Sequence, residues 1–373
     1  MEWKERRLFE RQKENRVDDR KKTVWMGRAV MKAVAILAKG KTGLIEIPKP
    51  VMGEYDCLVK VETCGFCSGT DMKFIDDEHS REKLTYPAVL GHEGAGRIIG
   101  TGSKVRHFQT GDSVINPTLP WPAPDAGYII RWGGMSEYAL VTDLQAMLDD
   151  GLQPPYLPER SPTRKIPSSI SMDDAALILS VKEIFKSLRN FGFKPGMDVL
   201  VYGDGMVGFG LCLFMRQQQA GRTCCIGHHP QRLAKIRDEA LADQVINTRE
   251  TTPDAALQDR KFDLVIDAVG KPAILVEGAK RLRPGGKIAL YGVLSPNDSK
   301  IDLLDLPNHI TLHLQSFPYR EHDCHDEIVG MVTGGKLDLK AFYSHVMPAA
   351  DIDRAVAMTR DRSAYKVVLR MSE

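Results

Sequence analysis

Apolar and polar residues follow two different patterns along the chain. From residue 31 to about residue 166, short apolar runs alternate with turns rich in Gly, Pro and Asp, a pattern typical of an all-β unit. From about Ser171, segments with helical periodicity alternate with short, continuous apolar runs. Such alternation is typical of buried parallel strands joined by right-handed helical crossovers. The sequence therefore predicts a small β-barrel followed by a parallel, doubly wound sheet.

The apolar runs also locate individual strands. In the first unit they predict strands at residues 33–37, 57–61, 96–100 and 113–115. In the second unit they predict strands at residues 199–202, 223–226, 244–246, 263–266 and 287–291. After residue 322 the pattern becomes mixed, and its last apolar run, residues 365–369, predicts one more strand.

The composition narrows the class of protein. The 373 residues carry a formal net charge of +2, so we expect no nucleic-acid partner. Seven cysteines, an odd number scattered along the chain, favour a reducing, cytoplasmic location over a disulfide-linked secreted protein. No apolar run reaches the length of a membrane span. Residues 2–22 mix both charges without an apolar core, so we expect no secretory signal there but a solvated extension or an arm that contacts another subunit.

A glycine turn, Gly203, Gly205 and Gly208, follows the predicted strand at residues 199–202. In a G-x-G-x-x-G turn the first glycine permits the bend, the second lets a pyrophosphate approach the backbone, and the third lets the next helix pack closely. The apolar residues from Leu211 onward indicate the start of that helix. The free N–H groups at a helix start attract phosphate. With a second strand at the expected distance, the turn predicts an NAD or NADP site rather than a turn without a ligand.

The end of that second strand bears on the choice between the two coenzymes. In NAD-specific proteins an Asp or Glu at this point binds the ribose hydroxyls. Here Gly227 occupies the position, and His228, His229 and Arg232 follow it. A basic residue accommodates a 2′-phosphate, which a carboxylate would repel. We expect NADP to be preferred over NAD; the alternative is a polar turn that accepts either coenzyme.

Two clusters in the first unit offer metal ligands. Residues 64–71 read C-G-F-C-S-G-T-D, and residues 91–94 read G-H-E-G. Taken singly, each has an ordinary explanation, as a redox-active or buried cysteine pair and as a surface His–Glu pair. Together, a thiolate and an imidazole suit Zn²⁺, and a catalytic site leaves one position for water or substrate. Asp71 is well placed to orient the imidazole of His92.

These motifs resemble the zinc-containing medium-chain dehydrogenase/reductase superfamily, close to its sorbitol and polyol dehydrogenases. The resemblance extends over nearly all of residues 31–371 and includes G-D-S-V at 111–114, G-G-M-S-E-Y at 133–138, V-I-D-A-V-G at 265–270 and L-R-P-G-G at 282–286. It implies an α/β protein with a GroES-like β-barrel catalytic domain, residues 29–170 and 322–373, and a Rossmann cofactor domain, residues 171–321. The charged extension would then be residues 1–28.

The resemblance also implies roles for individual residues. Cys67 and His92 would bind zinc, Thr70 would begin a proton relay, and Cys64 would be a structural neighbour. A basic residue in the last strand, here Lys366, would pair with the glutamate of G-H-E. Coenzyme contacts are expected at Gly203, Gly205, Met206, Val207, Gly208, His228, His229, Arg232, Val269, Gly292 and Val293.

The third metal ligand departs from the family pattern. An ungapped alignment puts Leu179 at that position, and leucine cannot bind a metal. Glu183 lies one helical turn further on, on the face that it shares with Lys182, so either Glu183 or Glu93 is the expected third ligand. Otherwise Lys182 and Glu183 would line the nicotinamide side of the cleft, where they are candidates for substrate contact or acid–base work.

Two further departures concern zinc. The spacing from Cys67 to Thr70 is one residue longer than in the commonest family form, so an ungapped reading would make Ser68 the ligand; we keep Cys67, because glycine at 69 can absorb the extra residue. Residues 116–132 contain no cysteine, which excludes the four-cysteine structural zinc of many relatives. We therefore expect one catalytic zinc and no structural zinc.

The expected function is reversible oxidation of a secondary alcohol in a polyol, sugar or cyclitol, with hydride transfer between the substrate and NAD(P). The resemblance further implies a homodimer or homotetramer. Two alternatives remain at this point. One is a zinc-free, NADPH-dependent ketone reductase with Lys182 as its acid, and the other is a non-enzymatic NADP-binding protein on the same fold.

Overall fold

In the computed structural model, which describes residues 29–80, 83–158, 161–315 and 319–371, the strands form three sheets. The predicted charged extension, residues 1–28, lies outside the described residues. The strands are β1 (Val30–Ala38), β2 (Lys41–Pro48), β3 (Asp56–Phe66), β4 (Ala88–Val89), β5 (Gly94–Thr101), β6 (Ser113–Ile115), β7 (Ile129–Ile130), β8 (Tyr138–Thr142), β9 (Arg164–Ile166), β10 (Val199–Tyr202), β11 (Thr223–Gly227), β12 (Gln244–Asn247), β13 (Phe262–Asp267), β14 (Leu282–Leu290), β15 (Thr311–Leu314), β16 (His345–Pro348) and β17 (Val367–Arg370).

The helices fall mainly in the second half of the chain. They are α1 (Thr70–Ile75), α2 (Leu144–Asp149), α3 (Met172–Ala175), α4 (Ile178–Asn190), α5 (Met206–Gln217), α6 (Pro230–Asp238), α7 (Pro253–Leu257), α8 (Pro272–Ala279), α9 (His325–Thr333) and α10 (Ile352–Arg360). Single 3₁₀ turns occur at Leu303–Asp305, Glu321–Cys324, Leu339–Phe342 and Ala349–Asp351. Among the described residues, none of these helices has both the length and the apolar character needed to cross a membrane.

Two sheets build the barrel unit. One has the order β2-β1-β4-β7, and the other has the order β16-β17-β3-β5-β6-β9, with β8 also paired to β3. In β1, buried residues alternate with exposed ones at the strand's start, as expected when one face of a strand packs on a core. The last strand joins this unit, because β17 pairs antiparallel to β3 with Val367 opposite Phe66.

The third sheet is parallel throughout, with the order β12-β11-β10-β13-β14-β15. The strand order reverses between β10 and β13, and ligands of such sheets bind in the crevice beyond the carboxyl ends at that point. This arrangement confirms the predicted doubly wound unit, because the short apolar runs are strands buried on both faces. β10, for example, is buried at all four residues.

The glycine turn opens onto α5 earlier than the apolar pattern indicated. The sequence suggested a helix near Leu211, whereas α5 begins at Met206, directly after the second glycine. Gly203 has a φ of +121°, and a Cβ on Gly208 would lie 1.8 Å from the Gly203 carbonyl oxygen. Because the third glycine lies inside the first helical turn, the free N–H groups of α5 face the crevice.

Aromatic contacts fix α5 and α4 against the parallel sheet. Phe214 of α5 meets Phe185 of α4 edge to face, with 4.9 Å between ring centroids. Phe209, on the same helix, meets Phe342 at 5.3 Å. All four rings are buried in one apolar core that also includes residues of β10, β11 and β13.

Phe214→Ala should lower the free energy of unfolding by about 3–5 kcal/mol, because it removes a buried ring and leaves a cavity. Urea denaturation followed by circular dichroism measures the change. Val51→Ala, at a residue that is 66% exposed, is the control and should change the free energy by less than about 0.5 kcal/mol. Equal effects of the two substitutions would contradict the assigned core.

Candidate functional site

A thiol, an imidazole and a carboxylate meet at one edge of the barrel unit. Cys67 follows β3, and His92 and Glu93 lie between β4 and β5. One ligand atom from each of these three residues lies within 4.8 Å of the other two. The Cys67 N–H donates to Asp71 Oδ2 over 2.9 Å, and the Thr70 N–H donates to Cys67 Sγ over 3.3 Å. These bonds fold the C-S-G-T-D turn so that the thiol faces the histidine.

The two nitrogens of His92 face different partners. Nδ1 lies 3.4 Å from Asp71 Oδ1, whereas Nε2 lies 3.6 Å from Glu93 Oε1. Burial would lower the pKa of His92, but Asp71 and Cys67 raise it well above its ordinary value. Burial would raise the pKa of Cys67, but the hydrogen bond and charge of His92 lower it. The thiol is therefore biased toward the thiolate that a metal binds.

Glu93 is held from behind by two side chains. Lys366 Nζ lies 2.5 Å from Glu93 Oε2, and the Ser180 hydroxyl donates to Oε1 over 2.9 Å. Lys366 Nζ also donates to Ser180 Oγ over 3.1 Å. Burial would raise the pKa of Glu93, and the Lys366 charge lowers it. Gly65 leaves room for this group, because a Cβ there would lie 2.3 Å from Glu93 Oε2.

The chemistry of this donor set fits zinc. Thiolate, imidazole and carboxylate are its usual protein ligands, and the Asp71 carboxylate behind His92 is the usual orienting partner. Ser68 and Leu179, which an ungapped alignment would put at ligand positions, lie outside the cluster. Ser68 is exposed. Leu179 is buried, and its neighbour Ser180, not Leu179, reaches Glu93.

The two remaining candidates, Lys182 and Glu183, are consecutive residues of α4 but lie in different surroundings. Glu183 is partly buried, and burial and the charge of Glu321 raise its carboxyl pKa well above the ordinary value, with smaller effects from His92 and Glu93. Glu183 therefore lies near the three-residue cluster but not in it. Lys182 is 0% exposed, and the charges that act most on it are those of Glu321 and Cys324. The structure thus buries Lys182 completely, whereas the sequence offered the nicotinamide side of the cleft as one alternative for it.

Aromatic rings that sequence reasoning did not single out stand around the cluster. The Trp132 ring centroid lies 5.0 Å from that of His92 and 5.8 Å from that of Phe74. Tyr291 stacks on Tyr319 at 5.9 Å, and burial followed by the Glu183 charge raises the pKa of each phenol. Only the position of Trp132 directly before the G-G-M-S-E-Y motif was a signal for these residues in the sequence.

The expected coenzyme contacts line the carboxyl edge of the parallel sheet. Asp267 Oδ1 accepts hydrogen bonds from the N–H groups of Val269 and Gly270, at 2.8 and 2.9 Å. The Gly292 turn abuts this turn, since a Cβ on Gly292 would lie 2.1 Å from Gly270 N. Val269 and the neighbouring Val293 are 48% and 41% exposed. Two exposed apolar side chains thus flank the crevice above β13 and β14.

The three basic residues predicted to contact the coenzyme after β11 differ in exposure and in bonding partners. His228 is exposed and His229 is half-buried, and both follow Gly227 directly. Arg232 is engaged by another segment, because its Nη2 donates to the carbonyl oxygens of Arg362 and Ala364. Burial lowers the pKa of its guanidinium, and the charge of Asp204 opposes that shift, so Arg232 lies within electrostatic reach of the carboxylate beside Gly227. A coenzyme contact of Arg232 stays a prediction.

Comparison with known proteins agrees with both halves of the chain. The Alcohol dehydrogenase GroES-like domain family matches residues 53–149, and the Glucose dehydrogenase C-terminus family matches residues 177–316. With the observed sheets, these matches confirm the predicted fold class, a GroES-like barrel with a Rossmann domain. The domain boundaries at residues 170 and 322 stay predictions.

Individual relatives cover almost the whole chain. The zinc-type alcohol dehydrogenase-like protein YdjJ of Escherichia coli is 26% identical over 353 residues, which are 90% of this chain and 97% of the relative. A putative D-xylulose reductase of Agrobacterium fabrum is 26% identical over 87% of this chain and 96% of its own. The crystal structure of a putative zinc-binding dehydrogenase from Sinorhizobium meliloti, bound to NADP, superposes with a TM-score of 0.72 at 20% identity, covering 92% of this chain and 100% of that chain.

Lys182 should make stability depend on pH in the alkaline range. Burial lowers the pKa of its ammonium to about 8, against 10.5 when it is not perturbed. The folded protein therefore carries the full cost of a buried charge below pH 8 and loses that cost as the pH rises toward 10.5. Relative to Lys182→Met, the native chain should gain on the order of 3 kcal/mol in unfolding free energy between pH 7 and pH 10.5.

Urea denaturation of both proteins at several pH values measures this difference. Lys186→Met on the same helix is the control, because Lys186 is only partly buried and bonds Asp323. A difference between the native chain and Lys182→Met that stays constant over this pH range would contradict a buried, destabilised ammonium.

Proposed function

Because the chain belongs to the zinc-containing medium-chain dehydrogenase/reductase superfamily and is an NAD(P)-dependent oxidoreductase of CH–OH groups, we propose a specific substrate and ligand set for it. Its substrate is a secondary alcohol of a polyol, sugar or cyclitol, interconverted with the ketone. Zinc is held by Cys67, His92 and Glu93. The observation that carries this proposal is the convergence of these three side chains within 4.8 Å.

Glu93, rather than Glu183, is the third ligand in this proposal. Its carboxylate belongs to the cluster, and its low pKa keeps it ionised. Glu183 has a raised pKa and stands outside the cluster, so its carboxyl group can donate or accept a hydrogen bond to a substrate hydroxyl. That role suits a substrate with several hydroxyl groups.

In the proposed reaction, zinc and the nicotinamide coenzyme supply part of the chemistry, and side chains of this protein supply the rest. When bound, zinc lowers the pKa of the alcohol, and the nicotinamide accepts the hydride. Asp71 keeps the His92 ring oriented, with Nε2 toward Glu93. Thr70, which begins α1 beside the thiol, takes the alcohol proton at its hydroxyl and passes it outward. The aromatic rings of Trp132 and Phe74 restrict the access of water.

The names of two relatives support this substrate class, whereas other relatives, such as one of Vibrio vulnificus, are named L-threonine 3-dehydrogenase. One of the two is a putative D-xylulose reductase, and a sorbitol dehydrogenase of Bacillus subtilis is 27% identical over 73% of this chain and 78% of its own. Both names denote chemistry on a polyol or its ketone. The zinc-free alternative with Lys182 as acid lacks such support, because Lys182 is 0% exposed.

NADP is the preferred coenzyme in this proposal. This preference is argued from Gly227, which brings no carboxylate to the ribose; structural neighbours were crystallised both with NADP and with NADH. A homodimer or homotetramer is also proposed. β15 is an edge strand of the parallel sheet, and Leu304 and Leu314 beside it are 92% and 60% exposed, which suits contact with a second copy.

Metal analysis of the purified protein, combined with a coenzyme-linked assay on a panel of sugar alcohols and ketoses, tests the proposal. The native chain should contain about one zinc ion per chain and lose turnover when a chelator removes it. Cys67→Ala should lose both the metal and at least about 10³-fold in kcat/KM, because the remaining ligands hold zinc poorly.

Cys64→Ala is the matched control. Cys64 is fully buried in β3, and burial raises the pKa of its thiol well above the ordinary value, so this cysteine is no metal ligand. The control should keep the zinc and most of the activity. Retention of zinc by Cys67→Ala, or turnover without any metal, would refute the ligand set.

A further inference from the structure

The carboxylate of Asp204 occupies the space beside Gly227 in which the side chain of a ribose-binding Asp or Glu would lie. A Cβ built on Gly227, at the end of β11, would lie 2.3 Å from Asp204 Oδ2 and 2.5 Å from Asp204 Cβ. Asp204 comes from the glycine turn, between Gly203 and Gly205, and is only 4% exposed. Its side chain therefore crosses from one βα turn to the next and covers the α-carbon of Gly227.

Protein donors use both oxygens of this carboxylate. Oδ2 accepts hydrogen bonds from the N–H groups of His228 and His229, each at 2.7 Å. Oδ1 lies 2.8 Å from His229 Nδ1, and because a carboxylate only accepts, Nδ1 carries the proton. Burial would raise the pKa of Asp204, but the hydrogen bonds from His229 lower it. Asp204 is thus ionised and already engaged by three donors.

The surroundings of this carboxylate are basic. Burial lowers the pKa of His228, and the charges of His229, Arg249 and Arg362 lower it further, which places both arginines within electrostatic reach of that ring. Arg249 and Arg362 are exposed. Arg249 follows β12, whereas Arg362 comes from the segment after α10. The edge beside Gly227 therefore lies within reach of positive charge from two separate parts of the chain, Arg249 and Arg362.

We propose that Asp204 is a positioning residue for coenzyme choice: it orients His229, with His228, Arg249 and Arg362, to bind the 2′-phosphate of NADP. This inference rests on the NADP preference proposed above and names the residues that produce it. Asp204 does not bind the ribose as an Asp at position 227 would, because its oxygens already accept from N–H groups of the protein, and the charge of Arg232 offsets its own. With Nδ1 bonded to Asp204, Nε2 is the ring nitrogen of His229 left for the ligand, and the same carboxylate holds the backbone N–H groups of His228 and His229 in place.

Isothermal titration calorimetry with 2′,5′-ADP and 5′-AMP tests this role. These fragments differ by the 2′-phosphate alone, and their binding needs neither zinc nor turnover, so a failure of the proposed alcohol chemistry would leave the result intact. The native chain should bind 2′,5′-ADP more tightly. Asp204→Asn should weaken 2′,5′-ADP by about tenfold or more and change 5′-AMP by less than about twofold, because only the phosphate uses the oriented histidine.

A double variant tests the opposite direction. Asp204→Ser combined with Gly227→Asp clears the space above Gly227 and places a carboxylate on the strand end. It should weaken 2′,5′-ADP and strengthen 5′-AMP, which reverses the preference. Because this variant gains affinity for one ligand, the result cannot be explained by a loss of folding.

Asp143 provides a matched control. Its Oδ2 accepts from the N–H groups of Arg106 and His107, and its Oδ1 lies 3.0 Å from His107 Nδ1, so it repeats the same carboxylate–histidine arrangement in the barrel unit. Asp143→Asn should leave the dissociation constants of both fragments unchanged.

Three results would overturn the inference. Equal weakening of both fragments by Asp204→Asn would show a purely structural residue, selective weakening of 5′-AMP would show a ribose ligand, and no change would show neither. If the native chain itself does not prefer 2′,5′-ADP, the proposed NADP preference fails together with the inference. If the native chain prefers 2′,5′-ADP and Asp204→Asn has no effect, the inference alone fails.

Discussion

A carboxylate that is shielded from water needs a counter-charge, and Glu93 receives one from the far end of the chain. Lys366 lies 2.5 Å from it, and Ser180 bonds to both groups. The removal of one partner from such a buried pair typically costs about 3–5 kcal/mol, because the other charge stays desolvated. Three segments that are distant in the sequence thus meet at Glu93: the residues before β5, helix α4 and the residues before β17. The thiol of Cys67 and the imidazole of His92 lie next to this carboxylate.

Five of the six strands of the parallel sheet, all but β15, could be predicted from the sequence because local apolar content defines them. The parallel strands are short, continuous apolar runs, and no other element buries both faces of so few residues. The start of α5 could not be found in this way. Its first turn contains glycines, which have low helix propensity, and the tight packing of Gly208 against Gly203 outweighs that propensity.

The candidate site could be predicted only in part. Cys67 and His92 stand in motifs whose spacing carries their chemistry, so the sequence named them. Lys182 and Glu183 could not be told apart, because adjacent helical residues point about 100° apart and the pattern does not show which direction faces the cleft. Asp204 was overlooked for another reason. A carboxylate that comes from one turn to act at the end of another strand leaves no signal at the position where it acts.

The pairing of β17 with β3 has a consequence for the order of events during synthesis. Phe66 is synthesised about 300 residues before its partner Val367, on the order of tens of seconds earlier at ordinary rates of translation. Until Val367 is made, residues 63–66 of β3 lack their β17 partners, and Glu93 lacks the ammonium of Lys366. The arrangement around Glu93 is therefore completed only after the segment that carries Lys366 and Val367 has been synthesised.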